Sequence, residues 1–252
     1  MELDVCHDGD SHPPVEDRPS ALAGQEDLTL VAADGNRLAA HLALAKEKLG
    51  PGVVILPDVR GLYHFYEELA VRFAEHGYDA LAIDYFGRTA GLGKRDDEFP
   101  YMEHVPLTTS EGVAADTRAA VERLRADSQE RPIFTLGFCF GGSNSWNQAA
   151  EGHGLAGAIG FYGNPKRPPL APIDRVGDFE CPILGLMGGE DPSIPVEVVD
   201  EYRQALSDAG VDAELIVYPA APHSFFDRKQ ADYSEAASDA WSRALAFISR
   251  NS

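Results

Sequence analysis

The strongest constraint on the fold is an alternation of short, wholly apolar segments with segments of helical periodicity. Residues 52–57 (GVVILP), 80–85 (ALAIDY) and 133–138 (IFTLGF) are continuous apolar runs of strand length. Such runs are typical of strands buried on both faces. Apolar side chains recur at helical spacing between them, as in residues 113–124. The pattern predicts the α/β class, with a mainly parallel sheet of about seven or eight strands flanked by helices.

The remaining segments define the expected domain organisation. Residues 28–33 and 38–44 flank Asp34-Gly35, a pair that predicts a hairpin turn. Residues 86–108 show no clear periodicity, and a connection of this length is usually functional or disordered. No linker divides the pattern, so we expect one domain over residues 25–252. Residues 1–24 are polar and acidic and are expected to form a flexible tail.

The charge of the chain excludes several classes of partner. The formal net charge is −20, from 41 acidic and 21 basic residues. Phosphate backbones and anionic membranes attract basic surfaces, so we expect neither nucleic acid nor membrane as a partner. A well-solvated surface explains the acidic excess most simply. Adaptation to high salt is the alternative.

Targeting signals and cysteine content favour a cytoplasmic location. The chain has no apolar stretch near the roughly 18–20 residues that span a bilayer, and its start lacks the features of a signal peptide. Three cysteines are too few for a disulfide framework and fit a reducing compartment. Cys6 is expected to be a free thiol in the tail, and Cys181 a small buried apolar residue.

The sequence Gly137-Phe138-Cys139-Phe140-Gly141 has the form of a nucleophile flanked by small residues. It lies between a predicted strand and a predicted helix, the context of a nucleophile elbow. In such a turn the central side chain stands beside the N-terminus of the following helix. The partial positive charge there favours a thiolate. Cys139 is therefore the candidate nucleophile, although a lone cysteine of this kind is more often structural.

An acid and a base follow Cys139 in the chain order that an elbow requires. Asp191 comes after the predicted strand 182–187, and His223 comes after the predicted strand 214–218. Both turns are expected at the carboxyl ends of strands, where open α/β sheets place their sites. Taken singly, Asp191 could be a loop acid or helix cap, and His223 a solvated imidazole. Together with Cys139 they predict a catalytic triad.

The three residues predict acyl transfer to water through a thioester. Cys139 would attack the acyl carbon, His223 would move the proton, and Asp191 would fix the imidazole tautomer. The backbone N–H groups of Phe140 and Val59 are the expected oxyanion donors.

Four segments together resemble the dienelactone hydrolase (carboxymethylenebutenolidase) family. They are LGFCFGG around Cys139, MGGEDPSIP around Asp191, YPAAPHSFFD around His223 and IDYFGRTAG around Arg88. The resemblance runs from about residue 25 to residue 250. It implies the α/β-hydrolase fold, a three-layer sandwich. It also implies a cysteine enzyme that cleaves small esters or lactones.

The resemblance implies roles for further residues, with two departures from the family pattern. The family places a glutamate that helps to form the thiolate where this chain has the shorter Asp58. Arg88 matches the first of two arginines that bind the substrate carboxylate. At the second arginine position this chain has Asp227, with Arg228 one place later. An acid there would repel an anionic lactone unless the nearby arginines outweigh it.

Arg60 and Tyr63 are further candidates for substrate binding. Both lie in or just after the loop that carries Asp58. Arg60 could instead pair with Asp58, and Tyr63 could pack at the start of a helix.

The expected ligands and the alternatives complete the sequence prediction. We expect no cofactor, and no metal, because the histidines lack C-x-x-C or H-E-x-x-H spacing. A small ester or lactone is the expected partner of a monomer or homodimer. The alternatives are a broad short-chain carboxylesterase, a thioesterase, or a non-catalytic ligand-binding member of the fold.

Overall fold

A computed structural model describes residues 10–96, 98–168 and 171–252 of the chain. The predicted free thiol at Cys6 lies outside these residues. The strands are β1 (Leu22–Val31), β2 (Arg37–Ala45), β3 (Gly52–Leu56), β4 (Asp79–Ile83), β5 (Ile133–Phe138), β6 (Gly157–Phe161), β7 (Ile183–Gly188) and β8 (Ala213–Tyr218). The helices are α1 (His64–Glu75), α2 (Gly87–Ala90), α3 (Tyr101–His104), α4 (Ser110–Leu124), α5 (Phe140–Asn147), α6 (Val196–Asp208) and α7 (Ser234–Arg250).

The eight strands form one mixed sheet in the order β1-β2-β4-β3-β5-β6-β7-β8. β1 pairs with β2, and β2 with β4, in antiparallel fashion. The five remaining pairings are parallel. The prediction of a mainly parallel sheet of seven or eight strands is confirmed.

Helices cover both faces of the sheet, which gives the three layers of the predicted sandwich. The side chains of β3 are all buried and alternate between the faces. Val53 and Ile55 pack in the layer that holds α1 and α7. Val54 and Leu56 pack with α4 on the other face. Further along that second face, α6 packs against the buried Trp146 of α5.

The first strand differs most from its prediction. β1 begins at Leu22, six residues before the expected start at residue 28. Residues 25–27 (QED) are polar and exposed, so this part of the strand gives no apolar signal. They are nevertheless in the sheet because this edge strand pairs along its length with β2. The hairpin turn at Asp34-Gly35 is confirmed, with Gly35 at φ 85°.

The aperiodic segment 86–108 is held to the sheet by a buried ion pair. It contains the short helices α2 and α3. Arg95 donates to the carboxylate of Asp84, just after β4, with an N–O distance of 2.7 Å. The Asp84 side chain is fully buried, and the guanidinium lies 4.6 Å from the Phe99 ring centre. The ion pair therefore fixes the segment together with apolar side chains such as Phe99 and Val105, which pack against the core.

The parallel strands bring their carboxyl ends to one edge of the sheet. The loops that follow β3, β5, β7 and β8 all leave the sheet there. These loops carry Asp58, Cys139, Asp191 and His223 respectively. Among the described residues, no helix has the length and apolar character needed to cross a bilayer.

Replacing Arg95 should destabilise the fold. In Arg95→Ala the buried Asp84 loses its partner, and removing one member of a buried pair costs about 3–5 kcal/mol. Arg203→Ala is the matched control, because Arg203 pairs with Asp200 on the surface and exposed pairs contribute about 0–1 kcal/mol. Urea unfolding followed by circular dichroism measures both. Equal loss of stability in the two variants would contradict the anchoring role of Arg95.

Candidate active site

Cys139 lies on a strained turn between β5 and α5. Its backbone has φ 52° and ψ −113°, a conformation that L-residues adopt rarely. The neighbouring glycines make the turn possible. A Cβ on Gly137 would lie 2.0 Å from the Gly141 carbonyl oxygen, and one on Gly141 would lie 2.1 Å from the Leu56 carbonyl oxygen. The sequence GFCFG therefore forms a turn that larger flanking residues would break.

The loops after β7 and β8 bring Asp191 and His223 to this turn. His223 Nδ1 lies 2.5 Å from Asp191 Oδ2, and both residues are buried. The other carboxylate oxygen, Asp191 Oδ1, accepts a hydrogen bond from the Ser193 N–H at 2.8 Å. A hydrogen bond also joins His223 to Cys139. The three residues predicted from separate motifs therefore form one hydrogen-bonded row.

The charges around His223 favour its protonated form. Burial lowers the pKa of His223, but the Cys139 thiolate and the bonded Asp191 carboxylate outweigh burial and hold this pKa well above its usual value. A raised pKa keeps the imidazolium populated at neutral pH. The direction of this pKa shift is the one that a thiolate–imidazolium pair requires.

Asp58 lies in a rigid loop after β3. Its side chain is fully buried, and its Oδ1 accepts from the Arg60 N–H at 2.8 Å. The Tyr85 hydroxyl donates to the carbonyl oxygens of Pro57 and Asp58. Burial raises the pKa of Tyr85, and the charges of Asp58, Asp84 and Cys139 raise it further. Asp58 and Cys139 therefore act on the same buried hydroxyl.

The predicted oxyanion donors lie on two segments in contact. Phe140 is the first residue of α5, and the close approach of Gly141 to Leu56 and Pro57 sets that turn against the end of β3. Val59 follows two residues after Pro57 and is fully buried. The structure thus brings both donor-bearing segments to the same end of the sheet.

Arg88 is already engaged by protein carboxylates. Its guanidinium donates to Asp34 at 2.6 Å and to Asp116 at 2.8 Å. Its Nε also donates to the Gly112 carbonyl at 3.1 Å. These bonds tie the hairpin turn of β1–β2 to α4. They count against the prediction that this guanidinium binds a substrate carboxylate, because a substrate would compete with two protein anions.

Two other arginines lie over aromatic rings of the carboxyl-end loops. Arg60 lies 5.6 Å from the ring centre of Tyr63, which is itself buried at the start of α1. Arg167 lies 4.8 Å from the ring centre of Phe140, next to the nucleophile. The sequence analysis did not identify Arg167. Its position in a proline-rich excursion directly after β6 was the available signal.

Asp227 occupies the interior rather than the pocket surface. Its side chain is fully buried and accepts a hydrogen bond from the Tyr162 hydroxyl. Burial raises the pKa of Asp227 well above its usual value, and the charge of Asp58 raises it further. The structure therefore does not favour the repulsion of an anionic substrate that an acid at this position could cause. Burial disfavours the charged form, and the carboxyl group is enclosed by protein.

Tyr162 is a residue of the site that no sequence pattern indicated. It follows β6 with φ 37°, and its ring centre lies 4.9 Å from that of His223. Its hydroxyl is fixed by Asp227. Tyr162 thus connects the buried carboxyl group to the imidazole.

Comparisons with known proteins agree with this geometry. The sequence model of the Dienelactone hydrolase family matches residues 38–252. A Yersinia pestis protein named "Putative carboxymethylenebutenolidase" is 30% identical over 233 residues, covering 88% of this chain and 87% of that protein. A protein of the same name from Saccharolobus solfataricus is 28% identical, covering 86% and 95% of the two chains.

A solved structure shows the same fold. The crystal structure titled "Putative Dienelactone Hydrolase" from Klebsiella pneumoniae is 29% identical, with a TM-score of 0.77. The match covers 90% of this chain and 98% of that one. The family match, the curated relatives and the shared fold lead to one assignment: the chain belongs to the dienelactone hydrolase family and is a hydrolase that acts on esters or lactones.

Proposed function

We propose that the protein hydrolyses a small ester or lactone, such as a dienelactone, through a thioester on Cys139. The observation that carries the proposal is the row formed by Cys139, His223 and Asp191 at the strained turn, with the 2.5 Å contact between the last two. Such a row activates a nucleophile and orients its base.

The first half of the proposed reaction forms the acyl-enzyme. The Cys139 thiolate attacks the carbonyl carbon, and the carbonyl oxygen takes the negative charge. When the intermediate collapses, the carbon–oxygen bond of the ester breaks and the leaving oxygen takes a proton from His223. Since Asp191 holds Nδ1, Nε2 is the ring nitrogen that serves Cys139 and the substrate. In a lactone the leaving oxygen stays attached to the acyl chain.

The second half returns the enzyme to its starting state. His223 takes a proton from water, and the resulting hydroxide attacks the thioester carbon. The carbon–sulfur bond then breaks, and the carboxylic acid product leaves with Cys139 again a thiolate. The proton on His223 restores the ion pair.

Backbone donors would stabilise the oxyanion in both halves. Phe140 begins α5, where unpaired N–H groups and the helix dipole favour negative charge. Val59 would supply the second N–H. Asp58 is proposed to help to form the thiolate of Cys139, the role that the family resemblance implies for its position.

A broad short-chain carboxylesterase is the second candidate function. The observation that favours it is the pairing of Arg88 with Asp34 and Asp116, together with the burial of Asp227. Position 88 carries a guanidinium that is already bound to protein carboxylates, and position 227 carries no guanidinium, so neither is expected to bind a substrate carboxylate. Comparing kcat/KM for a dienelactone and an uncharged p-nitrophenyl ester decides between the two.

Removing the thiol should abolish turnover. Cys139→Ala is expected to lower kcat by about 10⁴-fold or more, because the nucleophile is lost. Cys139→Ser should retain little activity, since a hydroxyl needs stronger base assistance than a thiol. Steady-state hydrolysis of both substrates measures this. Cys181→Ala is the control and should keep its kcat/KM. Undiminished turnover by Cys139→Ala would refute the mechanism.

Alkylation should reveal the thiolate at Cys139. Iodoacetamide at pH 6.5 is expected to modify Cys139 rapidly, because His223 stays protonated there and stabilises the thiolate. Cys181 should resist, since burial raises its pKa to about 12. His223→Gln should slow the reaction of Cys139 at pH 6.5 by about tenfold or more, toward the rate of a thiol with an ordinary pKa near 8.5. Mass spectrometry of tryptic peptides measures both sites.

The pH dependence of folding stability has a definite sign. Because the pKa of His223 is raised, its protonated form stabilises the folded protein. This stabilisation is full below about pH 6.5 and is lost as the pH rises through the raised pKa. If iodoacetamide at pH 6.5 modifies neither Cys139 nor Cys181, the result would favour the non-catalytic ligand-binding alternative.

Substrate charge should distinguish the arginines. Arg60→Ala is expected to raise KM for an anionic dienelactone by about tenfold, the value of one charge-assisted hydrogen bond, and to affect a neutral ester less. Arg88→Ala should change KM for the two substrates equally, because its guanidinium is bound to Asp34 and Asp116. A KM rise confined to the anionic substrate in Arg88→Ala would restore the predicted role of Arg88.

A further inference from the structure

A second cluster of chemically active side chains lies at the antiparallel end of the sheet. Asp27 of β1 and His41 of β2 are directly opposite each other in the strand register. Glu67 reaches them from α1. One possible ligand atom from each of the three side chains lies within 4.8 Å of the others. Ligands around one metal ion lie about 3–3.5 Å apart when each bond is near 2.1 Å, so the three side chains would adjust around a bound ion.

The cluster borders a cavity of about 580 Å³ that lies between β1, β2 and α1. His41 and Glu67 line it, and so do two further imidazoles, His12 and His64. Glu68 also lines it, and its Oε2 lies 2.7 Å from His12 Nδ1. The cavity therefore collects nitrogen and carboxylate ligands from three parts of the chain and leaves room for a solvated ion.

The contacts of His41 suit the binding of a cation. Its side chain is about nine-tenths buried, and Nε2 lies 3.1 Å from Gln25 Oε1, an acceptor. Nδ1 lies 2.7 Å from Asp27 Oδ1, a second acceptor. Both ring nitrogens thus face side-chain oxygens of β1, and a cation bound to Nδ1 would also meet the Asp27 carboxylate.

The same place already attracts a positive charge from the protein. Lys94 Nζ lies 3.3 Å from Asp27 and 3.6 Å from Glu67, so an ammonium group bridges the two carboxylates. The Lys94 side chain is 74% exposed, and it can therefore leave at small cost. A divalent ion would replace this ammonium group between the two carboxylates.

We propose that Asp27, His41 and Glu67 bind a divalent transition-metal ion of the zinc type, apart from the hydrolytic site. One imidazole and two carboxylates form a ligand set that suits Zn²⁺. With Nδ1 on the metal ion, Nε2–H would donate to Gln25 Oε1, 3.1 Å away, which is the outer contact that metal-bound histidines normally make. Asp27 and His41 need only spread by a few tenths of an ångström, and the longer Glu67 side chain closes the third side.

Such an ion would cross-link three elements that are distant in sequence. It would join the edge hairpin of β1 and β2 to α1, whose first residue follows the loop of Asp58, Arg60 and Tyr63. An ion that binds only the folded chain raises its stability. The sequence spacing of histidines could not reveal this site, since its ligands come from two strands and a helix.

Titration calorimetry of the full chain with zinc chloride tests the proposal. Wild type should bind one Zn²⁺ at this cluster. Asp27→Asn and Glu67→Gln should each weaken binding by about tenfold or more, at least the loss typical of removing an outer contact. Gln25→Ala should do so as well. These exposed or half-buried positions keep the test valid if His41→Gln fails to fold.

Two further variants test an expected increase in Zn²⁺ affinity and provide a matched control. Lys94→Gln should tighten binding by about two- to fivefold, the value of an exposed ion pair, because a competing cation is removed. Glu26→Gln removes the same charge from the neighbouring residue of β1, whose side chain faces Arg123 on the other side of the strand. Its affinity for Zn²⁺ should equal that of wild type.

The thiolate at Cys139 is the competing zinc ligand, so the titration is repeated in Cys139→Ala. Binding that survives in Cys139→Ala and falls in Glu67→Gln supports the proposal. Wild-type affinity in both Asp27→Asn and Glu67→Gln would overturn it. So would binding that disappears only in Cys139→Ala, or the absence of any binding by wild type.

Discussion

The close approach of α5 to the end of β3 is the constraint on which the rest of the site depends. Gly141 lies so near the Leu56 and Pro57 carbonyls that no side chain fits between them. This approach forces the chain to turn sharply at Cys139 and holds that residue at a positive φ. The strain at one residue is offset by the packed sheet on both sides of it. The thiol is therefore held in a fixed direction at the carboxyl edge.

Charge compensation then organises the polar groups that burial brings together. His223 is buried but keeps a raised pKa because it lies between Cys139 and Asp191. Asp227 is fully buried, and burial raises its pKa more than the hydrogen bonds from Tyr162 and the Arg228 N–H lower it. The two pKa values thus rise for different reasons, which are neighbouring anions at His223 and burial at Asp227. Tyr162 links the two environments by packing against the imidazole and donating to Asp227.

Much of the fold and part of the site followed from local patterns. The buried apolar runs predicted the parallel strands, because a strand covered on both faces needs apolar side chains on both. The glycines around Cys139 predicted the turn, because the backbone approaches them so closely that a side chain at their positions would clash. The start of β1 was missed, since an exposed edge strand pairs through its backbone and carries no apolar signature. The interior position of Asp227 was missed because a motif gives a residue's order in the chain, not its surroundings.

The sequence alone determined the α/β class, the elbow at Cys139, and the order in which Asp191 and His223 follow it. Each of these depends on local periodicity or on backbone sterics, which short segments encode. The tertiary structure alone decided which charges meet. It paired Arg88 with Asp34 and Asp116, placed Arg167 over Phe140, and brought Asp27, His41 and Glu67 together from two strands and a helix. Electrostatic interactions depend on distance in space, and only the folded chain sets that distance.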